Sequence, residues 1–220
     1  MEIYVLKISD IMEEFNKEQL NEMLPEFRKH AYQKYKKPED QNRSLVAGVL
    51  LSFCMNQKGV SLEETPSFNE AGKMYFPQVD RFYVNLSHGG DYAVCAWDTE
   101  DVGIDVEPVR KCRDAVVKRV CTAEEMVTFL FLQNEEERDR IFTRIWTGKE
   151  SVAKLFGEGI AMLFHGEQLQ ELCDEEGIYT HTYTSIPDYY ISVSSRKNEF
   201  PKELTVLSPE FLKQLHQQSH

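Results

Sequence analysis

Apolar residues recur along the chain with two different periods, and the changes between them mark out the elements. Met1 to Ile8 is a mostly apolar run that predicts an opening strand. A polar helix is expected from about Gln19 to Lys36, ended by Pro38, because the residue before a proline is pushed out of helical backbone. Asp40 then caps a second helix, on which Leu45, Val49 and Phe53 recur every four residues. Gly72 and Pro77 bracket a loop around Lys73. The period next shifts to two. Strands are expected at Phe82–Ser87 and Tyr92–Trp97, joined by a turn through His88-Gly89-Gly90-Asp91, and a third runs from Val102 to Glu107 before Pro108.

Beyond Pro108 helical signals return. Thr122 to Glu125 reads as a capping box opening a helix through Leu132. A long helix is expected from about Arg138 to Phe156, closed by Gly157 and Gly159. Strands follow at Met162–Phe164, Tyr179–Tyr183 and Tyr189–Ser194, and Ser208-Pro209 starts a short terminal helix. Asp91-Tyr92 and Asp188-Tyr189 each open a strand late in its half, an echo that hints at two similar α+β halves. The expected division is residues 1–108, residues 109–196 and an appendage at residues 197–220.

Composition narrows the class. With 220 residues, 41% of them hydrophobic, the chain can bury roughly 70% of its unfolded surface and needs a packed core for its 13 Phe and 10 Tyr. The longest apolar stretch, Leu45 to Phe53, is too short to span a bilayer, and residues 1–10 have no secretory pattern. Five cysteines, odd in number and without a C-x-x-C, fit buried thiols in a reducing cytoplasm, so the expected location is cytoplasmic. A net charge of −12 argues against broad contact with a nucleic-acid backbone. The charge is uneven, however. Arg28 to Lys37 holds five basic residues and no acid, leaving 20 basic against 37 acidic residues elsewhere. That segment suits a phosphorylated ligand or an acidic partner, or is a solvated helix face.

Three segments carry candidate chemistry. In Val102-Gly103-Ile104-Asp105-Val106-Glu107 strand alternation puts the branched residues on one face and both carboxylates on the other, about 6.6 Å apart along the strand. Oxygen ligands at that spacing suit Mg2+ or Ca2+, and a half-exposed edge strand is the plainer alternative. Phe142, Trp146, Glu150 and Lys154 are four apart and share a helix face, so an aromatic stripe leads into a charged pair. Gly148 suggests a close approach there. Asn85-Leu86-Ser87-His88-Gly89-Gly90 places a histidine on a glycine-rich turn whose amides can face an anion. No P-loop, G-x-G-x-x-G, G-x-S-x-G or H-E-x-x-H pattern is present.

Taken in order, Asn-Leu-Ser-His, Gly-Ile-Asp-Val-Glu and Trp-x-x-Lys-Glu-Ser-x-x-Lys resemble the 4′-phosphopantetheinyl transferase superfamily. The length resembles its long, surfactin-synthetase-activating type, in which two α+β halves form a pseudo-dimer within one chain and a monomer is expected. The resemblance implies transfer of phosphopantetheine from coenzyme A to a serine of an acyl, peptidyl or aryl carrier protein, leaving adenosine 3′,5′-bisphosphate. It implies Mg2+ ligands at Asp105, Glu107 and Glu150 and catalytic roles for Glu150 and Lys154. Coenzyme A contacts are implied at Arg43, Lys73, Ser87, His88 and Lys154, with Lys149 close by. The chain departs from the family pattern at Phe27 and His30, where relatives place lysines, and at Met74, where proline is usual. A Mg2+-dependent phosphohydrolase and a non-catalytic coenzyme A or carrier-binding module are the competing readings of the same residues.

Overall fold

The computed structural model describes residues 1–132, 134–164, 166–210 and 212. β1 (Glu2–Lys7) carries four consecutive buried residues, Ile3 to Leu6, because both of its faces are covered. After β1 come α1 (Ile8–Glu14), α2 (Lys17–Glu22), α3 (Pro38–Gln57) and a short pair, β2 (Ser67–Phe68) and β3 (Met74–Tyr75). β4 (Tyr83–Gly89), β5 (Tyr92–Asp98) and β6 (Val102–Pro108) follow, then α4 (Asp114–Val120), α5 (Ala123–Leu130), α6 (Glu135–Phe156) and α7 (Gly166–Glu176). The described chain closes with β7 (Tyr179–Tyr183), β8 (Tyr189–Ser195) and β9 (Thr205–Val206).

Two sheets organise these elements. The first has the order β4-β5-β1-β9, the second β6-β8-β7. Period-two alternation divides β1 and β5 between two cores. Tyr4, Leu6, Ala93 and Cys95 pack under α3 with Leu50 and Phe53, while Ile3, Val5, Val94 and Ala96 meet Val102, Ile104, Val106, Ile191 and Val193 of the second sheet. The other face of β6 lies under α6. A Cβ at Gly103 would collide with the Ser151 carbonyl and the Leu155 amide, so glycine is what lets this helix settle onto the strand. The close approach foreseen at Gly148 is not there, since a Cβ at that position would meet only Thr180 at an ordinary 3.9 Å.

The two halves share one order of elements. β1-α3-β4-β5 and β6-α6-β7-β8 each pair their strands antiparallel, with the last strand in the middle. Asp91-Tyr92 and Asp188-Tyr189 open the equivalent strands β5 and β8. The Tyr92 and Tyr189 rings meet edge to face at 4.7 Å, and the Tyr189 hydroxyl accepts from the Asp91 amide at 2.9 Å. Because β6 pairs with β8, the division falls before Val102 and not at Pro108. The described residues beyond 196 are no appendage either: β9 pairs with β1, and Leu212 is buried in the first core.

Several elements differ from expectation for physical reasons. The helix foreseen over Gln19–Lys36 breaks after α2 at Pro25, which lacks an amide donor, and the chain continues as 3-10 turns at Glu26–Arg28 and Ala31–Lys34. Pro38 starts α3 instead of ending its predecessor, its fixed φ suiting a first helical position. Asp40 sits inside the first turn and pairs with Arg43 at 2.7 Å. His88 and Gly89 remain in β4, paired with Ala93 and Tyr92, so the hairpin turn is confined to Gly90-Asp91. Residues 160–164 form a 3-10 turn where a strand was expected, and α7 was not foreseen. The capping box at Thr122 and the Gly157 cap are both present. Of the terminal helix, only Pro209, Glu210 and Leu212 are among the described residues.

Candidate active site

Three elements converge on one carboxylate cluster. β6 supplies Asp105 and Glu107, α6 supplies Glu150 and Lys154, and β4 supplies Ser87 and His88. Asp105 is only 2% exposed, which removes the solvated edge-strand alternative. Its Oδ1 accepts from the Ser87 hydroxyl at 2.7 Å and from Lys154 Nζ at 2.6 Å. Lys154 also donates to Ser87 Oγ at 2.8 Å, and its Nζ lies 4.0 Å from Glu150 Oε2. Oxygens of Asp105, Glu107 and Glu150 lie within 4.8 Å of one another.

The electrostatics are unbalanced. Burial, reinforced by the charge of Asp105, pushes the Glu150 carboxyl up to about 8. Burial also raises Glu107, against the pull of Arg110 at 2.9 Å. Asp105 Oδ2 is buried and has no hydrogen-bond partner. Three carboxylates, one ammonium and an orphaned acceptor oxygen are short of positive charge at a point where hard oxygen ligands converge. The set therefore fits a divalent cation of the Mg2+ kind.

The cluster opens into two adjoining hollows that share Arg28, Leu86, Glu150 and Lys154. One, of about 290 Å³, holds the carboxylates, Ser87 and His88. The other, about 350 Å³, is walled by the β2–β3 segment through Phe68, Gly72, Lys73 and Met74. His88 stands at the mouth of the first. Its pKa is lowered by packing around the ring, then by the positive charges of Lys154, Arg43 and Arg28. That positive field suits an anionic ligand. Arg43 Nε donates to the Gly90 carbonyl at 3.1 Å and its Nη1 pairs with Asp40 at 2.7 Å, which fixes the guanidinium beside the hairpin turn.

Two expected ligand contacts take other roles. Lys149 is turned away from the site. Five residues at about 100° each put it some 140° around the helix from Lys154. Its Nζ donates instead to the Val120 carbonyl at 2.6 Å and to Glu125 at 2.7 Å. Lys73 lines the larger hollow, yet its Nζ donates to the Leu155 carbonyl at 2.5 Å and to Asp101 at 2.7 Å. Arg28 is the cleft residue that the motifs did not single out. Its Nη2 donates to the Ser44 carbonyl at 3.2 Å, its Nε is buried without a partner, and burial lowers its pKa. In the sequence it stands in the basic segment and beside Phe27, one of the positions where the chain departs from the family pattern. Its position follows from the chain break at Pro25.

A carboxylate trio, with Asp105 buried and Glu107 and Glu150 half-buried, is backed by a lysine below a cleft rimmed with arginine and histidine, and its chemistry suits a cation and a phosphorylated ligand. The family model of the 4′-phosphopantetheinyl transferase superfamily matches residues 101–204, the second βαββ unit with all three carboxylates. The chain is 28% identical to the 4′-phosphopantetheinyl transferase Sfp of Bacillus subtilis (strain 168), across 96% of this chain and 100% of that one. It is 27% identical to psf-1 of Bacillus pumilus across 96% of each chain. It is also 39% identical to HetI of Nostoc sp. over 36% of this chain and 34% of that one. The chain is thus similar to the 4′-phosphopantetheinyl transferase superfamily over residues 101–204, and to long Sfp-like transferases over nearly its whole length.

Proposed function

We propose that this protein transfers the 4′-phosphopantetheine group of coenzyme A to a serine hydroxyl of an apo carrier protein. The observation that carries this reading is the convergence of Asp105, Glu107 and Glu150 beside Lys154, with one Asp105 oxygen buried and unpaired. Asp105, Glu107 and Glu150 would hold Mg2+, which when bound neutralises pyrophosphate charge as it redistributes during transfer.

The chain's own groups do the rest. Arg28, Arg43 and His88 give the cleft a positive rim that orients the phosphates, and Lys154 Nζ stabilises the departing phosphate oxygen. The carrier serine oxygen forms a bond to the β-phosphorus as the pyrophosphate P–O bond breaks. The hydroxyl proton passes to the Glu150 carboxylate, and adenosine 3′,5′-bisphosphate leaves. Glu150 suits the task by position, since its carboxylate faces the cleft beside Lys154 and the other two carboxylates. The exposed lysines 34, 36 and 37 lie beside the cleft residue Tyr35 and would meet an acidic carrier. A monomer is part of the same proposal, since the two βαββ units pack on one another through a shared core, and so is a cytoplasmic location, which the free cysteines suit.

Mass spectrometry of an apo carrier protein incubated with this protein, coenzyme A and Mg2+ tests the reading. The expected result is a gain of one phosphopantetheine on the carrier. Phosphopantetheine released without a carrier would mean a hydrolase instead, and coenzyme A binding without turnover a binding module.

A further inference from the structure

The β2–β3 segment is fastened to the active-site framework at three points. Asn69 is the hub. Its backbone exchanges hydrogen bonds with Lys73 O and the Gly72 amide at 3.0 Å each, and its Oδ1 accepts from the Ala71 and Lys73 amides at 3.1 and 2.8 Å. That leaves its Nδ2 to reach the carbonyl of Gly157, the left-handed cap of α6, at 2.9 Å. Lys73 Nζ takes the Leu155 carbonyl in the same last turn, and Asp101 immediately before β6. A helix end leaves its last four carbonyls without partners inside the helix. Here one of them, the Leu155 carbonyl, and the carbonyl of the Gly157 cap just beyond are both satisfied by one short segment. The fit is tight: a Cβ at Gly157 would press on Asn69 Nδ2 and the Lys73 stem.

The two elements joined in this way are the ones that carry the chemistry. Lys154 precedes Leu155, Glu150 lies one turn earlier, and Asp105 and Glu107 follow Asp101 along β6. The segment's Phe68, Gly72 and Met74 wall the 350 Å³ hollow that opens onto Glu150 and Lys154. We propose that Asn69, Lys73 and Asp101 form a clasp that holds this wall shut against α6 and β6. They act as positioning residues that keep the cleft in its coenzyme A-binding shape. This rests on the transferase reading above. Two of the three ammonium protons of Lys73 are committed to the clasp, so Lys73 acts mainly as a fastener and only secondarily as a phosphate contact. When the clasp is loosened, the binding-competent fraction falls and the apparent affinity falls with it.

The test uses the full chain with Mg2+ and four variants: Asn69→Ala, Asp101→Asn, Lys73→Met and the Asn69→Ala/Lys73→Met double. Coenzyme A affinity is measured by calorimetry, alongside kcat and both KM values. Asn69→Ala and Asp101→Asn are each expected to weaken coenzyme A binding and raise its KM about fivefold, with kcat within twofold and carrier KM unchanged. The double variant is expected to be no worse than Lys73→Met alone, because both changes open the same element. Wild-type values for Asn69→Ala and Asp101→Asn, or a double variant whose effect is the product of the singles, would overturn the clasp. So would a fall in melting temperature and active fraction with both KM values unmoved, the mark of a purely structural role. Wild-type protein that binds coenzyme A but transfers nothing would overturn the transferase reading alone, and the calorimetric comparison would still decide the clasp.

Discussion

Replacing Glu150 with Gln should stabilise the metal-free protein, and the gain should grow with pH. In the unfolded chain Glu150 titrates near 4.5, but in the folded, metal-free protein at about 8. Below pH 4.5 it is protonated in both states and costs nothing. Between 4.5 and 8 the unfolded state ionises while the folded state holds its proton, so folding loses about 1.4 kcal/mol per pH unit. The accumulated loss is about 1 kcal/mol at pH 5.5 and about 4 kcal/mol at pH 7.5. Glutamine does not titrate, and any fixed cost of burying its amide cancels when the two pH values are compared. The stability gap between variant and wild type should therefore widen by about 3 kcal/mol, or roughly 6–12 °C in Tm for a chain of this size. The assay is thermal melting of both proteins in EDTA at pH 5.5 and 7.5, repeated with Mg2+. Cation binding should raise the wild type and close the gap. If Glu150 were only the salt-bridge partner of Lys154, the variant would melt lower at pH 7.5. A gap of that sign, or one that does not change with pH, refutes the electrostatic reading of the cluster.

Other consequences follow from particular contacts. Changing Lys34, Lys36 and Lys37 together to Glu should raise the KM for an acidic carrier several-fold at low salt, and less as salt rises, since exposed charges are screened over about 8–10 Å. An unchanged carrier KM at low salt removes that docking role. Lys149→Met should cost about 1–3 kcal/mol of stability by leaving the Val120 carbonyl and Glu125 short of a donor, with coenzyme A KM unaltered. A tenfold rise in that KM at unchanged Tm would return Lys149 to the site. Gly103→Ala should lower both Tm and kcat, because the added carbon meets α6 backbone and pushes Glu150 and Lys154 off β6. Normal turnover in that variant would mean the helix has room that the structure does not show.

What could be read from the chain depended on whether a feature was local. The alternation in Val102–Glu107 placed both carboxylates on one face, and the four-residue spacing aligned Glu150 with Lys154; the structure keeps both arrangements. The same helical arithmetic, applied to Lys149, would have turned it away from Lys154 at the outset. On a helix, nearness in sequence is not nearness in space. Other errors turned on prolines and glycines. Pro25 decides where the polar helix breaks, and that break delivers Arg28 to the cleft. Gly103, not Gly148, carries the close approach of helix to strand, which is visible only once β6 is known to lie under α6.

The strand echo of Asp91-Tyr92 and Asp188-Tyr189 pointed to two related halves, but not to their boundary, because pairing between β6 and β8 is non-local. That pairing also explains why the chemistry sits where it does. β6 is the first strand of the second unit and packs against β4 of the first. A Cβ at Gly89 would collide with the Val106 carbonyl, so the two strands meet closely beside the cluster. Asp105 on one unit can then accept from Ser87 on the other, with Lys154 spanning both. The carboxylates and their lysine come from the second unit, while Ser87, His88, Arg43 and Arg28 come from the first. Neither half holds a complete site. The shared core of Ile3, Val5, Val94, Ile104 and Val193 thus does more than stabilise the fold: it holds the cationic rim in register with the acidic floor.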